Sequence, residues 1–233
     1  MGRAVETAAA AHPDLRIKAK IDHATQWSAA DIQRGDVVVD FSSPEGFLAA
    51  CALCARAGAA LVTGTTGLGP DHERALSELG KQVAVLRSSN FSLGVLALRR
   101  AVQAALAALP RDWDVEIVER HHKHKADAPS GTALTLAREI AENRGVDERA
   151  FQHGREGRVG ERPADQIGLH AVRGGSWVGF HEVLLAGAGE WLELRHVAQD
   201  RGAFAHGALA AARFVATAPP GVYTLEDLAT GGR

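Results

Sequence analysis

The sequence predicts an α/β chain: a parallel sheet covered by helices, then a smaller α+β region built on a mixed or antiparallel sheet. Three observations carry this reading. Through Ser92, short apolar runs alternate with helical segments, the pattern of strands buried on both faces. From Leu93 onward the order changes, and three strand-like runs follow one another at close spacing. Loops rich in Gly, Ser and Thr stand where the parallel strands end.

Taken in order, residues 4–11 read as a helix and residues 15–22 as a strand. Residues 37–41 (VVVDF) form a second strand. Ser43 is a helix N-cap with Pro44 at the first helical position, and Gly58 ends that helix after Ala57. Residues 59–63 (AALVT) and 83–86 are further strands, with a helix over 71–79 between them. A long helix over 93–109 leads to residues 114–118 (DVEIV), whose polar and apolar residues alternate as in a half-buried strand. Another helix covers 132–143, and a Gly- and charge-rich loop spans 154–162. Strands follow at 167–172, 178–185 and 191–196, and a last helix over 204–217 returns to the first domain. The domains expected are 1–92 with 203–233, and 93–202.

Composition narrows the function. At 233 residues the chain is long enough for a substantial core. A net charge of −2 argues against a nucleic-acid surface, and no apolar run reaches the ~18–20 residues that span a bilayer. With no apolar signal core at the N-terminus, the expectation is a cytoplasmic protein without nucleic-acid or membrane partners. Cys51 and Cys54 form a C-x-x-C, but mid-helix, away from the N-terminal turn that acidifies a thiol. They read as small buried hydrophobes.

The densest chemistry lies in residues 119–133, ERHHKHKADAPSGTA. The strand before it delivers His121 and His122 to the rim of a sheet. Asp127, Ala128 and Pro129 form a turn, and Ser130 caps the helix that follows. That helix presents backbone N–H groups at Gly131 and Thr132, and a helix N-terminus attracts anions. With a lysine and several imidazoles facing it, this describes a pocket for a small carboxylate, with proton donors in place. A metal site is disfavoured, because Lys123 and Lys125 would repel a cation. A solvated charged loop accounts for the charges equally well, but not for so specific a helix entry.

Ligands of open parallel sheets bind beyond the carboxyl ends of the strands. Three such ends carry marked loops here: Phe41-Ser42-Ser43-Pro44, Gly64-Thr65-Thr66-Gly67 and Ser88-Ser89-Asn90-Phe91. Asp22 closes the first visible strand, where a Rossmann sheet places the acid that holds the adenosine ribose. Together they favour a nucleotide site, and so a Rossmann-like first domain.

These motifs resemble those of the 4-hydroxy-tetrahydrodipicolinate reductase (dihydrodipicolinate reductase) family, of the diaminopimelate route to lysine. The H-H-x-x-K-x-D-A-P-S-G-T-A signature stands intact from His121 to Ala133. The G-T-T-G loop at Gly64, S-N-F-S at Ser89, the R-E-G…G-E-R segment from Arg155 to Arg162, and I-G-L-H-A-V-R-G-G from Ile167 also match. The resemblance implies that His121 is the proton donor, with Lys125 as a second donor. It implies that His122, Lys125, Gly131 and Thr132 hold the substrate's carboxylates. Gly64, Thr65, Thr66, Ser88, Ser89, Asn90 and Phe91 would hold the nicotinamide cofactor. The implied reaction adds hydride and a proton to an unsaturated cyclic imine dicarboxylate. The second sheet would serve substrate binding and assembly, commonly into a homotetramer. NADH or NADPH is implied, and Asp22 favours NADH, since a carboxylate repels a 2′-phosphate; His23 beside it is mostly neutral at pH 7.

The chain departs from the family at its start. Members begin with a strand and a G-x-x-G-R-M-G loop; here Met1-Gly2-Arg3 resembles the end of that loop, with Met1 the remnant of the phosphate cradle. The first strand is missing, so the expectation is a start codon placed too late or weak cofactor binding. Two rivals stand beside the main reading. Another amino-acid-pathway Rossmann dehydrogenase should lack the His121–Ala133 run. A cofactor-deficient, truncated subunit of the same reductase should fail to bind NADH.

Overall fold

The computed structural model describes residues 1–21 and 32–229. They divide into two compact units, Met1–Leu93 with the chain from Arg201, and Gly94–Asp200.

In the first unit, helix α1 (Gly2–Ala10) precedes four parallel strands in the order β1 (Val37–Asp40), β2 (Ala60–Thr63), β3 (Ala84–Arg87) and β9 (Gly221–Tyr223). Register explains how both faces are buried. Val38, Leu61 and Val85 lie in one row and pack with α2 (Pro44–Ala57) and α3 (Pro70–Gly80). Val39, Val62 and Leu86 form the next row, on the opposite face. Val39 packs with α1 and with α6 (Gly202–Thr217). Leu61, Val62, Val85 and Leu86 are fully buried, each worth about 1.5–3 kcal/mol. Helix α2 has the ends its sequence encodes: the Ser43 side chain accepts from the Gly46 amide, and Gly58 closes the helix at φ +65°. Helix α7 (Leu225–Ala229) follows β9.

One element differs from expectation. Residues 15–21 form no strand, and Asp22 lies outside the described residues. A strand needs a neighbour to bond to, and among the described residues β1 is paired only with β2. The segment is tethered by side chains instead: Leu15 packs on the α1–α6 cluster, Asp14 pairs Arg213 at 2.7 Å, and Lys18 pairs Asp36 at 2.7 Å.

The second unit is a five-stranded mixed sheet in the order β5 (Phe151–His153), β6 (Ile167–Arg173), β4 (Asp114–His121), β7 (Gly179–Ala186) and β8 (Trp191–Ala198). Strand β4 is parallel to β6 and antiparallel to β7, and β8 is antiparallel to β7. Odd-numbered residues of β4 and β7 face α4 (Leu93–Ala108) and α5 (Gly131–Arg144), building a core of Val115, Ile117, Leu136, Ile140, Val183 and Leu185. The opposite face carries a row across four strands, Val172–Arg120–Phe180–Val197, in which the Arg120 guanidinium lies 4.3 Å from the Phe180 ring centroid. No helix of this unit long and apolar enough to cross a membrane occurs, nor any elsewhere among the described residues. Strands β5 and β9, three residues each, and α7 were not foreseen from the sequence.

Candidate active site

Strand β4 runs three residues further than its alternating sequence suggested, and that extension makes the site. With period two, Glu119 and His121 fall on the same face as Val115 and Ile117, the face turned to α5. His121 is the last strand residue. His122 follows it outside the ladder, its amide donating to the Trp177 carbonyl at 2.9 Å.

Glu119 is only 1% exposed, yet all its bonds are satisfied. One carboxylate oxygen meets His121 Nδ1 at 2.6 Å and Arg173 Nη1 at 2.8 Å. The other accepts from Arg173 Nη2 at 2.7 Å and from the Ser130 amide at 2.9 Å. Burial alone would raise this carboxyl; Arg173, His121 and the Ser130 amide outweigh it and hold it below the usual carboxylate range. An ionised Glu119 can only accept, so the proton on Nδ1 of His121 points at it and Nε2 is the nitrogen left for chemistry. Burial pulls the His121 imidazole below the ordinary histidine value; Glu119 opposes this, while Lys125 and Arg173 add to it.

A second imidazole lies against the first. The rings of His121 and His181 meet edge to face at 5.2 Å, and His181 Nε2 is 3.0 Å from Ser130 Oγ. Ser130 Oγ accepts the Ala133 amide at 3.2 Å, as an N-cap should, so its own hydrogen is available to His181. Burial pushes His181 down to about 3, and the ring is neutral at working pH. Its Nδ1 is buried without a partner among the described residues, as is Nδ1 of His122.

The residues that the sequence predicts to hold carboxylates differ in exposure and in partners. Gly131 is exposed and Thr132 half-buried in the first turn of α5. Lys125 is bonded through Nζ to both Asp127 oxygens at 2.8 Å, and that ammonium holds the Asp127 carboxyl below its usual range. Asp127 is largely exposed, while the Lys125 side chain is mostly covered. Among the described residues no group of His, Cys, Asp and Glu could hold a metal ion.

The predicted cofactor residues belong to the first unit and differ in what they offer. Thr66 and Ser89 are exposed and Gly64 is half-buried. Thr65 is buried, its hydroxyl donating to Asp40 at 2.7 Å and accepting from the Ser42 amide at 3.0 Å. Phe91 is buried against Phe41, ring centroids 5.4 Å apart, and offers a ligand only its backbone. Ser88 and Asn90 shape their own loop: Ser88 Oγ donates to the Asn90 carbonyl at 2.6 Å, and Asn90 Oδ1 accepts the Ser92 amide at 2.8 Å. Met1 is half-buried, packs on the α1–α6 cluster, and its carbonyl accepts the Ala4 and Val5 amides. Asp22 falls outside the described residues. Two glycines are required by packing against these loops. A Cβ on Gly64 would stand 2.2 Å from the Phe41 ring, and one on Gly207 in α6 1.7 Å from the Phe91 carbonyl oxygen.

Four residues of these sites went unread in the sequence. Glu119, Arg173 and His181 surround His121; Asp40 ties the loops after β1 and β2 through Ser42, Thr63 and Thr65. Period two carried on to His121 would have paired Glu119 with it. Arg173 stands within the I-G-L-H-A-V-R-G-G motif, but nothing local ties it to His121; His181 arrives from a distant strand, and no local pattern marks it.

Comparison with known proteins follows the same division. Residues 1–91 match the family model "Dihydrodipicolinate reductase, N-terminus", and residues 94–229 its C-terminus counterpart. A 4-hydroxy-tetrahydrodipicolinate reductase of Nitrosomonas eutropha is 44% identical over 201 residues, covering 86% of this chain and 75% of its own. One from Caulobacter vibrioides is 41% identical over 237 residues, covering 98% and 92%. Among solved structures, the dipicolinate-bound dihydrodipicolinate reductase of Paenisporosarcina sp. TG-14 aligns with a TM-score of 0.65 at 29% identity, over 82% of this chain and 73% of that one.

Proposed function

The chain belongs to the dihydrodipicolinate reductase family, and on that premise we propose that it reduces 4-hydroxy-tetrahydrodipicolinate to tetrahydrodipicolinate with NAD(P)H, in diaminopimelate and lysine biosynthesis. The observation that carries this reading is His121, bonded through Nδ1 to a buried carboxylate beside the first turn of α5, within the intact signature. Substrate, reduced cofactor and one proton give product, oxidised cofactor and the water made from the departing hydroxyl. A bound nicotinamide supplies the hydride. His121 Nε2 gives its proton to the neighbouring ring carbon and is left neutral. Lys125 exchanges Asp127 for a substrate carboxylate and supports proton delivery, while His122, Gly131 and Thr132 hold the dicarboxylate.

The residues of the first unit fit a nicotinamide nucleotide. Three adjacent parallel strands end at Asp40, Thr63 and Arg87, and small residues keep the loops behind them close to the sheet. Gly64, Thr65, Thr66 and residues 88–91 would hold the cofactor, the buried Thr65 and Phe91 through their backbone. Met1, at the N-cap of α1, packs on the same cluster as Phe41 of the loop after β1. NADH is the favoured reductant, on the carboxylate of Asp22. Residues 1–92 with 203–233 serve the cofactor; residues 93–202 serve substrate and assembly into a cytoplasmic homotetramer.

The test is substrate-dependent oxidation of NADH and NADPH by the purified chain, with pyridine-2,6-dicarboxylate as competitor. Turnover with a higher kcat/KM for NADH is expected. Oxidation that needs no dicarboxylate, or none with either reductant, overturns the activity; a clear NADPH preference overturns the role given to Asp22.

A further inference from the structure

The acid His121 does not stand alone, and what surrounds it has a use beyond packing. Among the described residues, four charged or titratable groups face its ring. Glu119 lies two residues back on β4, Arg173 reaches in from the end of β6, His181 comes from β7, and Lys125 follows on the loop toward α5. Of these four, Glu119 is the anion. It is also the most constrained: 1% exposed, held by both Nη atoms of Arg173, and bonded to the Ser130 amide at the start of α5.

We propose that Glu119 is a positioning residue for the proton transfer: clamped by Arg173 and the α5 N-terminus, it binds Nδ1 of His121 and so presents Nε2 as the atom that carries the proton to substrate. An imidazole free to flip or to exchange tautomers would, when neutral, carry its hydrogen on Nε2 and its lone pair on Nδ1 for part of the time, and would then take up the next proton at the nitrogen turned away from substrate. The clamp has a second consequence. The Ser130 amide that bonds Glu119 opens the same helix turn that carries Gly131 and Thr132, so one carboxylate sets both the acid and the first turn of the anion-binding helix.

The proposal rests on the reductase reading above, and the tests separate the two. The first needs no substitution. Nitrogen NMR of the imidazoles in the native chain, above the His121 titration, should show the neutral ring protonated at Nδ1. A neutral ring protonated at Nε2 overturns the proposal, whatever the activity. The second uses Glu119→Gln with NADH affinity and thermal unfolding as controls. The carboxamide can accept at Nδ1 or donate to it, so the tautomer is no longer fixed. Turnover should fall by about tenfold to a hundredfold, with KM for NADH changed less than about twofold. His121 would also lose the one group that raises its proton affinity, leaving burial, Lys125 and Arg173 to lower it. The alkaline limb of kcat/KM, where the acid form is lost, should move to lower pH by about one pH unit. Glu119→Asp keeps the charge and should restore that limb toward its native position better than Gln. An unmoved limb in Glu119→Gln, or a folded variant with native turnover, overturns the proposal. A native chain without reductase activity defeats the functional reading alone, since the tautomer is still observed directly.

Discussion

The duties proposed for His121 and Lys125 differ, and single substitutions should separate them. His121→Gln removes the acid but leaves the cofactor unit untouched. Turnover should fall about a hundredfold or more while NADH affinity measured by titration stays unchanged; a loss below about threefold would mean that another group donates. Lys125→Ala removes a cation that pairs a carboxylate in the structure already, namely that of Asp127. Affinity for pyridine-2,6-dicarboxylate should drop by about tenfold, in keeping with a charge-assisted bond of about 1.5–3 kcal/mol, and turnover should fall with it. Equal affinity in the two chains would place the substrate elsewhere. At this scale the signature made His121, His122 and Lys125 legible, because they are neighbours in sequence. The alternation that marks β4 covers only residues 114–118 and so does not pair Glu119 with His121, and Asp40 looks like an ordinary end of strand β1.

Helix α5 shows how an element can serve folding and chemistry through one residue. Ser130 caps it by accepting the Ala133 amide, touches His181 through the same hydroxyl, and gives its own amide to Glu119. Ser130→Ala should cost about 1 kcal/mol from the lost cap and somewhat more from leaving His181 Nε2 buried and unbonded. Thermal unfolding of the second unit checks this. A melting temperature equal to the native one would show that the cap contributes nothing here. Caps and stops of this kind are written locally, which is why α2 and α5 were legible almost to the residue: Ser43 and Ser130 begin them, and Gly58 and Gly145 end them in left-handed turns. Strands β5 and β9 were not, because three residues hold no periodicity of their own. Each exists only because β6 or β3 offers it a ladder.

For the whole molecule, the second sheet's outer face is the feature that calls for a partner. Val197 is 55% exposed and Trp191 68%, and the row Val172–Arg120–Phe180–Val197 crosses four strands on the face away from α4 and α5. This supports the proposed tetramer, buried through that face. Sedimentation of the native chain should report four copies, and Val197→Asp should reduce the assembly; a monomeric native chain would sink the idea. The alternation of strands and helices made the two-sheet plan legible in advance. Residues 15–21 misled because alternation describes a strand's side chains and says nothing of the neighbour it must bond.

The cysteines of α2 offer something the enzyme itself does not use. Burial pushes the thiols of Cys51 and Cys54 up to about 12, and both lie within the core that joins α2 and α3 to the sheet. Alkylation requires an accessible thiolate. A reagent added at neutral pH should therefore modify the chain only as fast as α2 lifts away. The labelling rate then becomes a stopwatch for transient opening of the first unit, read by mass spectrometry without any engineered probe, and saturating NADH should slow it if the nucleotide braces that unit as proposed.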